Sequence, residues 1–179
     1  MPRLFVAVPL PPVTVPGLGT VSGGGGALPH ITLKFLGEVA AGRVAPLAPA
    51  LERALRGAGS FGLSLRGLGA FPNEERPRVL YVNVEQGREE LSALARRVEE
   101  GLAGLGFPPE PRPFVAHLTV KRLRPGRSVE EARELLERHR GTRLLATWIS
   151  RVELVESLLQ PGGAVHTPLA AFPLAPAPA

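Results

Sequence analysis

The 179-residue chain contains no cysteine, few aromatic residues and only two lysines. Without cysteine there can be no disulfide, iron-sulfur cluster, thiolate zinc site or cysteine nucleophile, and this composition fits a reducing cytoplasm. The aromatic fraction of 5% argues against the extended base stacking of dedicated single-strand binders. No uncharged apolar run reaches membrane-spanning length, and the Met-Pro-Arg start lacks the form of a signal peptide. We therefore expect a cytoplasmic protein with no membrane partner.

Positive charge is abundant and comes mostly from arginine. The chain has 21 Lys and Arg against 16 acidic residues, which gives a net charge of +5. Arginines concentrate in the second half, within residues 122–127 and 138–140. A basic surface favours polyanionic partners, although any single arginine can simply lie on a solvated helix face.

The spacing of apolar and turn-forming residues divides the chain into strands and helices. Ser128 and Glu131 form a plausible capping box for the last helix. Residues 10–29 are rich in Pro and Gly and are predicted to be loop, and residues 175–179 are predicted to be a disordered tail. Strands are predicted over 3–9, 30–36, 61–65, 79–84, 117–123, 144–155 and 165–172, and helices over 43–57, 89–105 and 129–140.

A seven-residue pattern occurs twice, at residues 30–36 and 117–123. Each copy has the order His, apolar, Thr, apolar, Lys, any residue, Leu, and the two lysines of the chain occupy the same place in each. Alternate residues of a strand point to opposite faces, so the histidine, threonine and lysine should face outward, with Ile31, Leu33 and Phe35 toward a core. Each copy therefore predicts a small polar cluster on a rigid strand.

Two such clusters facing each other would supply two imidazoles, two hydroxyls and several cations. This set is suited to an acid–base reaction on a phosphate. The repeat and the order of elements predict an α+β fold with two pseudo-symmetric lobes of mainly antiparallel strands, outer helices and a central cleft. Residues 1–174 are expected to form this single bilobal domain.

The paired motifs resemble the two-histidine phosphoesterase superfamily, and their flanking residues look like its RNA 2',3'-cyclic phosphodiesterase branch, also called 2'-5' RNA ligase. Three positions depart from the family pattern: a short, Gly-rich segment before His30 could remove the first helix, Ala116 replaces a usual proline, and His166 replaces a common tyrosine. The likeness spans nearly the whole chain, in residues 3–8, 28–38, 67–72, 77–81, 112–122 and 152–174.

The resemblance implies hydrolysis of RNA 2',3'-cyclic phosphate ends to 2'-phosphate, with 2'-5' RNA ligation as the reverse reaction. It implies no cofactor and no metal. The expected substrates are RNA ends, tRNA fragments among them, or small cyclic nucleotides, and the protein is expected to be a monomer.

The same resemblance implies roles for the motif side chains. His117 is the expected base that activates water and His30 the expected acid for the 3' oxygen, with the reverse assignment left open. Thr32 and Thr119 are expected to donate hydrogen bonds to phosphoryl oxygens. Arg122 is the family's phosphate-binding cation.

The lysine and arginine at the end of the second motif raise a geometric question. Strict alternation places Arg122 on the face opposite His117, whereas Lys121 shares the histidine's face and is also a candidate for phosphate binding. A bulge at the strand end would bring Arg122 back to the histidine's face.

Two other functions remain open from the residues alone. One is an RNA-end-binding protein whose histidines recognise phosphate without turnover. The other is a metal-dependent hydrolase, which is weaker because neither motif has an outward carboxylate. A phosphate between the histidines predicts facing nitrogens roughly 5 to 8 Å apart. Histidines that share a zinc ion would place their nitrogens within roughly 3 to 4 Å.

The remaining two histidines stay outside the predicted mechanism. His139 is flanked by Arg138 and Arg140 at a predicted helix end, so we expect it to be solvated. His166 lies in a late strand and could border the cleft.

Overall fold

The computed structural model describes residues 1–22, 27–123, 129–161 and 163–176. The Gly-rich run 23–26, the predicted cap Ser128 and residues 177–179 of the predicted tail lie outside the described residues. The backbone is hydrogen-bonded through Ala175, one residue into the predicted tail, because Ala175 pairs with Gly59.

The order of elements follows the predicted order, with additional strands. The three helices are α1 (Leu47–Leu55), α2 (Arg88–Ala103) and α3 (Val129–Arg138) in the described part of the chain, and a 3-10 turn covers Ala41–Arg43. None of these helices is both long and apolar enough to cross a membrane. The strands are β1 (Arg3–Pro9), β2 (Val13–Val15), β3 (Gly19–Val21), β4 (His30–Glu38), β5 (Phe61–Phe71), β6 (Val79–Gln86), β7 (His117–Arg122), β8 (Arg143–Ile149), β9 (Arg151–Gln160) and β10 (Gly163–Pro173).

Two four-stranded antiparallel sheets form the two lobes. Their strand orders are β10-β9-β1-β4 and β7-β6-β5-β8, so each motif strand lies at a sheet edge. The two motif strands contact each other, and a large cluster of buried apolar side chains extends through both sheets and the helices. This arrangement confirms the predicted α+β fold with two lobes around a shared cleft.

Each motif strand has a register shift three residues after its histidine. The pairing of β1 with β4 skips Leu33, and the pairing of β6 with β7 skips Val120. Because side chains alternate along a strand, one extra residue moves every following side chain to the other face. Phe35 and Arg122 therefore join the face that carries the histidines.

The first bulge makes the predicted orientation of Lys34 and Phe35 wrong. Lys34 is only 6% exposed. Its ammonium forms an ion pair with Glu99 of α2 and donates to the carbonyl oxygen of Pro108 at 2.8 Å. Phe35, predicted to be core, is 69% exposed. The prediction assumed regular alternation along β4, but the bulge at Leu33 interrupts it.

The prediction of a loop over residues 10–29 is also wrong for part of that segment. Strands β2 and β3 form a hairpin that contacts β8 and buries Val13, Val15 and Val21. Its Pro and Gly residues form the turn, where Gly17 has a positive φ of 83° that glycine tolerates best. The described residues between β1 and β4 thus include a β-hairpin and no helix. The family's first helix was expected to be missing from this short segment.

Two further predictions about the second half need correction. The single strand predicted over 144–155 is two strands, which meet at Ser150 and belong to different sheets. His139, predicted to be solvated, is 3% exposed and its Nε2 bonds the carbonyl oxygen of Pro16 at 2.7 Å. It therefore ties the end of α3 to the turn of the hairpin.

Candidate active site

The six side chains predicted for the site line one cleft between the two sheets. Its volume of about 560 Å³ is large enough for a nucleotide and not only for a phosphate group. The six residues are His30, Thr32, His117, Thr119, Lys121 and Arg122.

His30 begins β4 and is held by neighbours from two directions. Its ring bonds the backbone carbonyl of Leu28 and packs against Phe5, with ring centroids 4.8 Å apart. The pKa of His30 is lowered from 6.5 to about 4, mainly by burial and also by the charge of His166, while the bond to Leu28 opposes both effects. In the unliganded cleft His30 is therefore neutral near neutral pH.

His117 begins β7 in an equivalent environment. Its Nδ1 donates to the carbonyl oxygen of Val115 at 2.7 Å, and its ring makes edge contacts with Phe71 and Tyr81 at 4.9 and 5.4 Å. Since a carbonyl can only accept, this bond assigns the proton to Nδ1 and leaves the Nε2 lone pair free. Burial lowers the pKa of His117, the bond to Val115 opposes this, and the charge of Arg122 lowers it further.

The threonines and the arginine share the faces of their histidines. Thr32 lies opposite Ala7, and Thr119 lies opposite Tyr81. Arg122 is exposed and pairs with Val79, two residues from Tyr81, so the bulge reconciles its position with that of His117. Its positive charge lowers the pKa of His117 in addition to the larger effect of burial.

Lys121 lies on the other side of the second bulge. It pairs with Leu80, whose side chain is fully buried, although part of Lys121 still forms the cleft wall. A role in phosphate binding stays a prediction for Lys121, as it does for the threonines and Arg122.

Several aromatic residues beside the two histidines were not predicted from the sequence. Phe5 and Phe35 contact each other beside His30, with ring centroids 6.1 Å apart. Tyr81 stacks on Phe71 beside His117 at 4.3 Å. The signal for Tyr81 was the alternation of its strand, since it points to the face opposite the buried Leu80 and Val82. Phe5 is itself buried within a continuous apolar strand, so alternation did not mark it. Phe35 had no such signal because a bulge precedes it.

Positive groups dominate the cleft. Arg3 joins Lys121 and Arg122 in its wall, and none of the glutamates in the described chain lines it. Across the described ranges, no group of three or more His or Glu side chains is placed to hold a metal ion. An anion is therefore the ligand that the cleft electrostatics favour. The separation of the facing nitrogens of His30 and His117 stays a prediction.

The chain is similar in sequence to several known proteins. Two archaeal proteins named RNA 2',3'-cyclic phosphodiesterase are each 35% identical to the chain over 145 residues. The protein from Methanothermobacter thermautotrophicus matches 81% of this chain and 78% of its own length. The protein from Aeropyrum pernix matches 78% of each.

Solved structures share the fold along almost the entire chain. A crystal structure of a Thermus thermophilus protein has a TM-score of 0.74 and 28% identity, covering 98% of this chain and 99% of that one. The fold is also that of E. coli LigT complexed with 3'-AMP, with a TM-score of 0.71, 24% identity and coverage of 97% and 99%. The 2'-5' RNA ligase superfamily matches residues 25–160. This protein belongs to that superfamily, which confirms the resemblance of its paired motifs.

Proposed function

We propose that this protein hydrolyses RNA 2',3'-cyclic phosphate ends to 2'-phosphates, with His30 and His117 as the acid–base pair. The observation that carries the proposal is that the two His-x-Thr motifs come from different sheets and line one cleft. The relatives named RNA 2',3'-cyclic phosphodiesterase support the choice of substrate.

The proposed reaction begins with water as the nucleophile. The free Nε2 of His117 takes a proton from water as its oxygen attacks phosphorus. The bond between phosphorus and the 3' oxygen breaks, and the imidazolium of His30 protonates that oxygen. The product keeps the phosphate on the 2' oxygen.

The low pKa of His30 suits the proposed acid. A group that holds its proton weakly transfers it readily to an alkoxide leaving group. Before the substrate binds, His30 lacks this proton near neutral pH, because its pKa is about 4. A phosphodiester anion beside the ring raises the pKa of the imidazole, so His30 binds the proton together with the substrate.

Other cleft residues are proposed to bind the substrate. Thr32 and Thr119 donate to the non-bridging oxygens, and the guanidinium of Arg122 balances the charge that develops on them. The exposed ring of Phe35 lies in the same cleft as the histidines and offers an aromatic face on which a base can stack.

The same site can catalyse the reverse, ligating reaction. In the 2'-5' ligating direction the two histidines exchange roles. The substrates are RNA ends, including those of tRNA fragments, or small cyclic nucleotides. The protein acts as a monomer in the cytoplasm and needs no cofactor or metal, since protonated histidine and Arg122 can stabilise the phosphoryl charge.

The proposal is tested with a short RNA that ends in a 2',3'-cyclic phosphate, incubated with the protein in excess chelator. We expect conversion to a 2'-phosphate end, and conversion at least roughly a hundredfold slower with His117→Gln. A 3'-phosphate product would contradict the assignment of the leaving oxygen. Activity lost in chelator and restored by one divalent metal would contradict the metal-free mechanism, and RNA bound without turnover would favour the binding function.

A further inference from the structure

A third histidine lies in the cleft outside both motifs. His166 is on β10, and its ring meets that of His30 edge-on, with centroids 5.1 Å apart and planes at 67°. It also contacts Phe5 edge-on at 5.1 Å. Because Phe5 contacts His30 as well, the three rings form a closed triangle, and the imidazole of His166 belongs to the packing that holds His30 in place.

The surroundings of this pair do not favour a second positive charge. The charged and titratable groups that share the cleft with it are Arg3 from β1 and His117, Lys121 and Arg122 from β7. None of the described lining residues is a carboxylate. Two imidazolium ions in contact would repel each other with no counter-ion beside them.

The hydrogen bonding of His166 agrees with this. Its Nδ1 is buried and has no partner among the described residues. A charged imidazolium carries protons on both nitrogens, so charging His166 would bury an N–H group without an acceptor. Burial correspondingly lowers the pKa of His166.

We propose that His166 is a positioning residue for His30, and that the two rings form a coupled pair that carries at most one positive charge. Through this coupling His166 helps to keep His30 neutral until a substrate anion enters the cleft. The charge of His166 lowers the pKa of His30 in addition to the larger effect of burial, as the coupling requires. The consequence for turnover rests on the proposed function, whereas the coupling itself does not.

Titration of the imidazoles in the full chain tests the coupling directly. We would follow the histidine ring signals by NMR in the parent, in His166→Gln and in His166→Tyr, which keeps a ring at this position. Both substitutions should raise the pKa of His30, in His166→Gln by on the order of one unit. The repulsion acts on the ring that charges second, and the pKa of His30 is the more strongly lowered of the two. His30→Gln should therefore leave the pKa of His166 nearly unchanged. Thr167→Ala, an exposed neighbour on β10, is the matched control and should change neither pKa.

The pH dependence of turnover gives a second readout. In His166→Gln the limb of the profile that reports His30 should move to higher pH, and the limb that reports His117 should stay. This direction is the same whether His30 is the acid or the base.

An unchanged pKa of His30 in His166→Gln would overturn the proposal, as would an equal shift in Thr167→Ala. If His166→Gln does not fold, an unchanged pKa of His30 in His166→Tyr would overturn it instead. Because the NMR titration needs no turnover, failure of the proposed activity and failure of the coupling are distinguishable.

Discussion

The two halves of the cleft are built on the same plan but differ in charge. In each half an edge strand begins with a histidine whose ring bonds the carbonyl two residues earlier, and a bulge follows three residues later. The residue five positions after the histidine then faces the cleft. It is Phe35 in the first half and Arg122 in the second.

This difference makes the two ends of the cleft chemically distinct. The first half surrounds His30 with Phe5, Phe35 and His166, and the second half places Arg122 close enough to His117 to lower its pKa. The shared plan positions two proton-transfer groups, and the halves differ at the residue that follows each bulge, which is the aromatic Phe35 in one and the cationic Arg122 in the other. We therefore expect matched substitutions in the two halves to have equal effects on proton transfer and unequal effects on binding.

The largest expected effect is shared by both halves. His30→Gln and His117→Gln should each reduce turnover of a cyclic phosphate by roughly 10²- to 10⁴-fold, since each removes a proton-transfer group. Steady-state kinetics with a 2',3'-cyclic nucleotide measures this, with Thr167→Ala as the control. Near-parental turnover in either variant would show that the two halves do not act as a pair.

A smaller effect should separate the halves. Arg122→Met should reduce kcat/KM by roughly ten- to a hundredfold for every substrate, because it removes a charged hydrogen-bond donor to phosphate. Phe35→Leu should reduce kcat/KM by roughly tenfold for a cyclic nucleotide, but not for a cyclic phosphate without a base. An equal reduction of kcat/KM by Phe35→Leu for both substrates would contradict base stacking on Phe35.

The stability of the first half should also depend on pH through His30. Folding lowers the pKa of His30 from 6.5 to about 4, so between these values the unfolded chain binds more protons than the folded protein. The free energy of unfolding of the parent therefore decreases as pH falls through this window, and His30→Gln lacks this loss. From about pH 7.5 to about pH 4, His30→Gln should gain about 3 kcal/mol relative to the parent. Urea denaturation at both pH values measures it, and a constant difference would contradict the low pKa.

The smallest expected effect belongs to the threonines. Thr32→Val and Thr119→Val keep a β-branched side chain and remove only a hydroxyl. Each should reduce kcat by up to roughly tenfold, which corresponds to about 1 kcal/mol for a hydrogen bond. A loss as large as that of the histidine variants would make the threonines part of the proton transfer.

Much of this fold could be predicted because most strands alternate regularly and α2 repeats its apolar residues at helical spacing. The site was predictable because its main residues occur in two local motifs. The bulges at Leu33 and Val120 were less accessible, since nothing in an apolar residue marks it as the extra one. Arg122 exposed the second bulge only because the family places a cation there.

The remaining errors came from contacts that are distant in sequence. The break at Ser150 interrupts an apolar stretch that looks continuous, and only the pairing with two different sheets reveals it. Lys34 was predicted to face outward from alternation, and the sequence did not reveal its ion pair because its partner Glu99 lies on a helix far along the chain. His166 was placed near the cleft, but its contact with His30 depends on the order of strands in the first sheet.

The pH profile of the parent enzyme tests the central claim most directly. If the two histidines divide the proton transfers, one must be neutral and the other protonated, so kcat/KM for a 2',3'-cyclic nucleotide in chelator should be bell-shaped in pH. Because kcat/KM reports the free enzyme and the pKa values of His30 and His117 are both lowered from 6.5, the maximum should lie on the acid side of 6.5. The profile of kcat should lie at higher pH, since bound phosphate raises both pKa values. A kcat/KM that rises steadily from about pH 5 to about pH 9, with no descending limb, would contradict the paired mechanism.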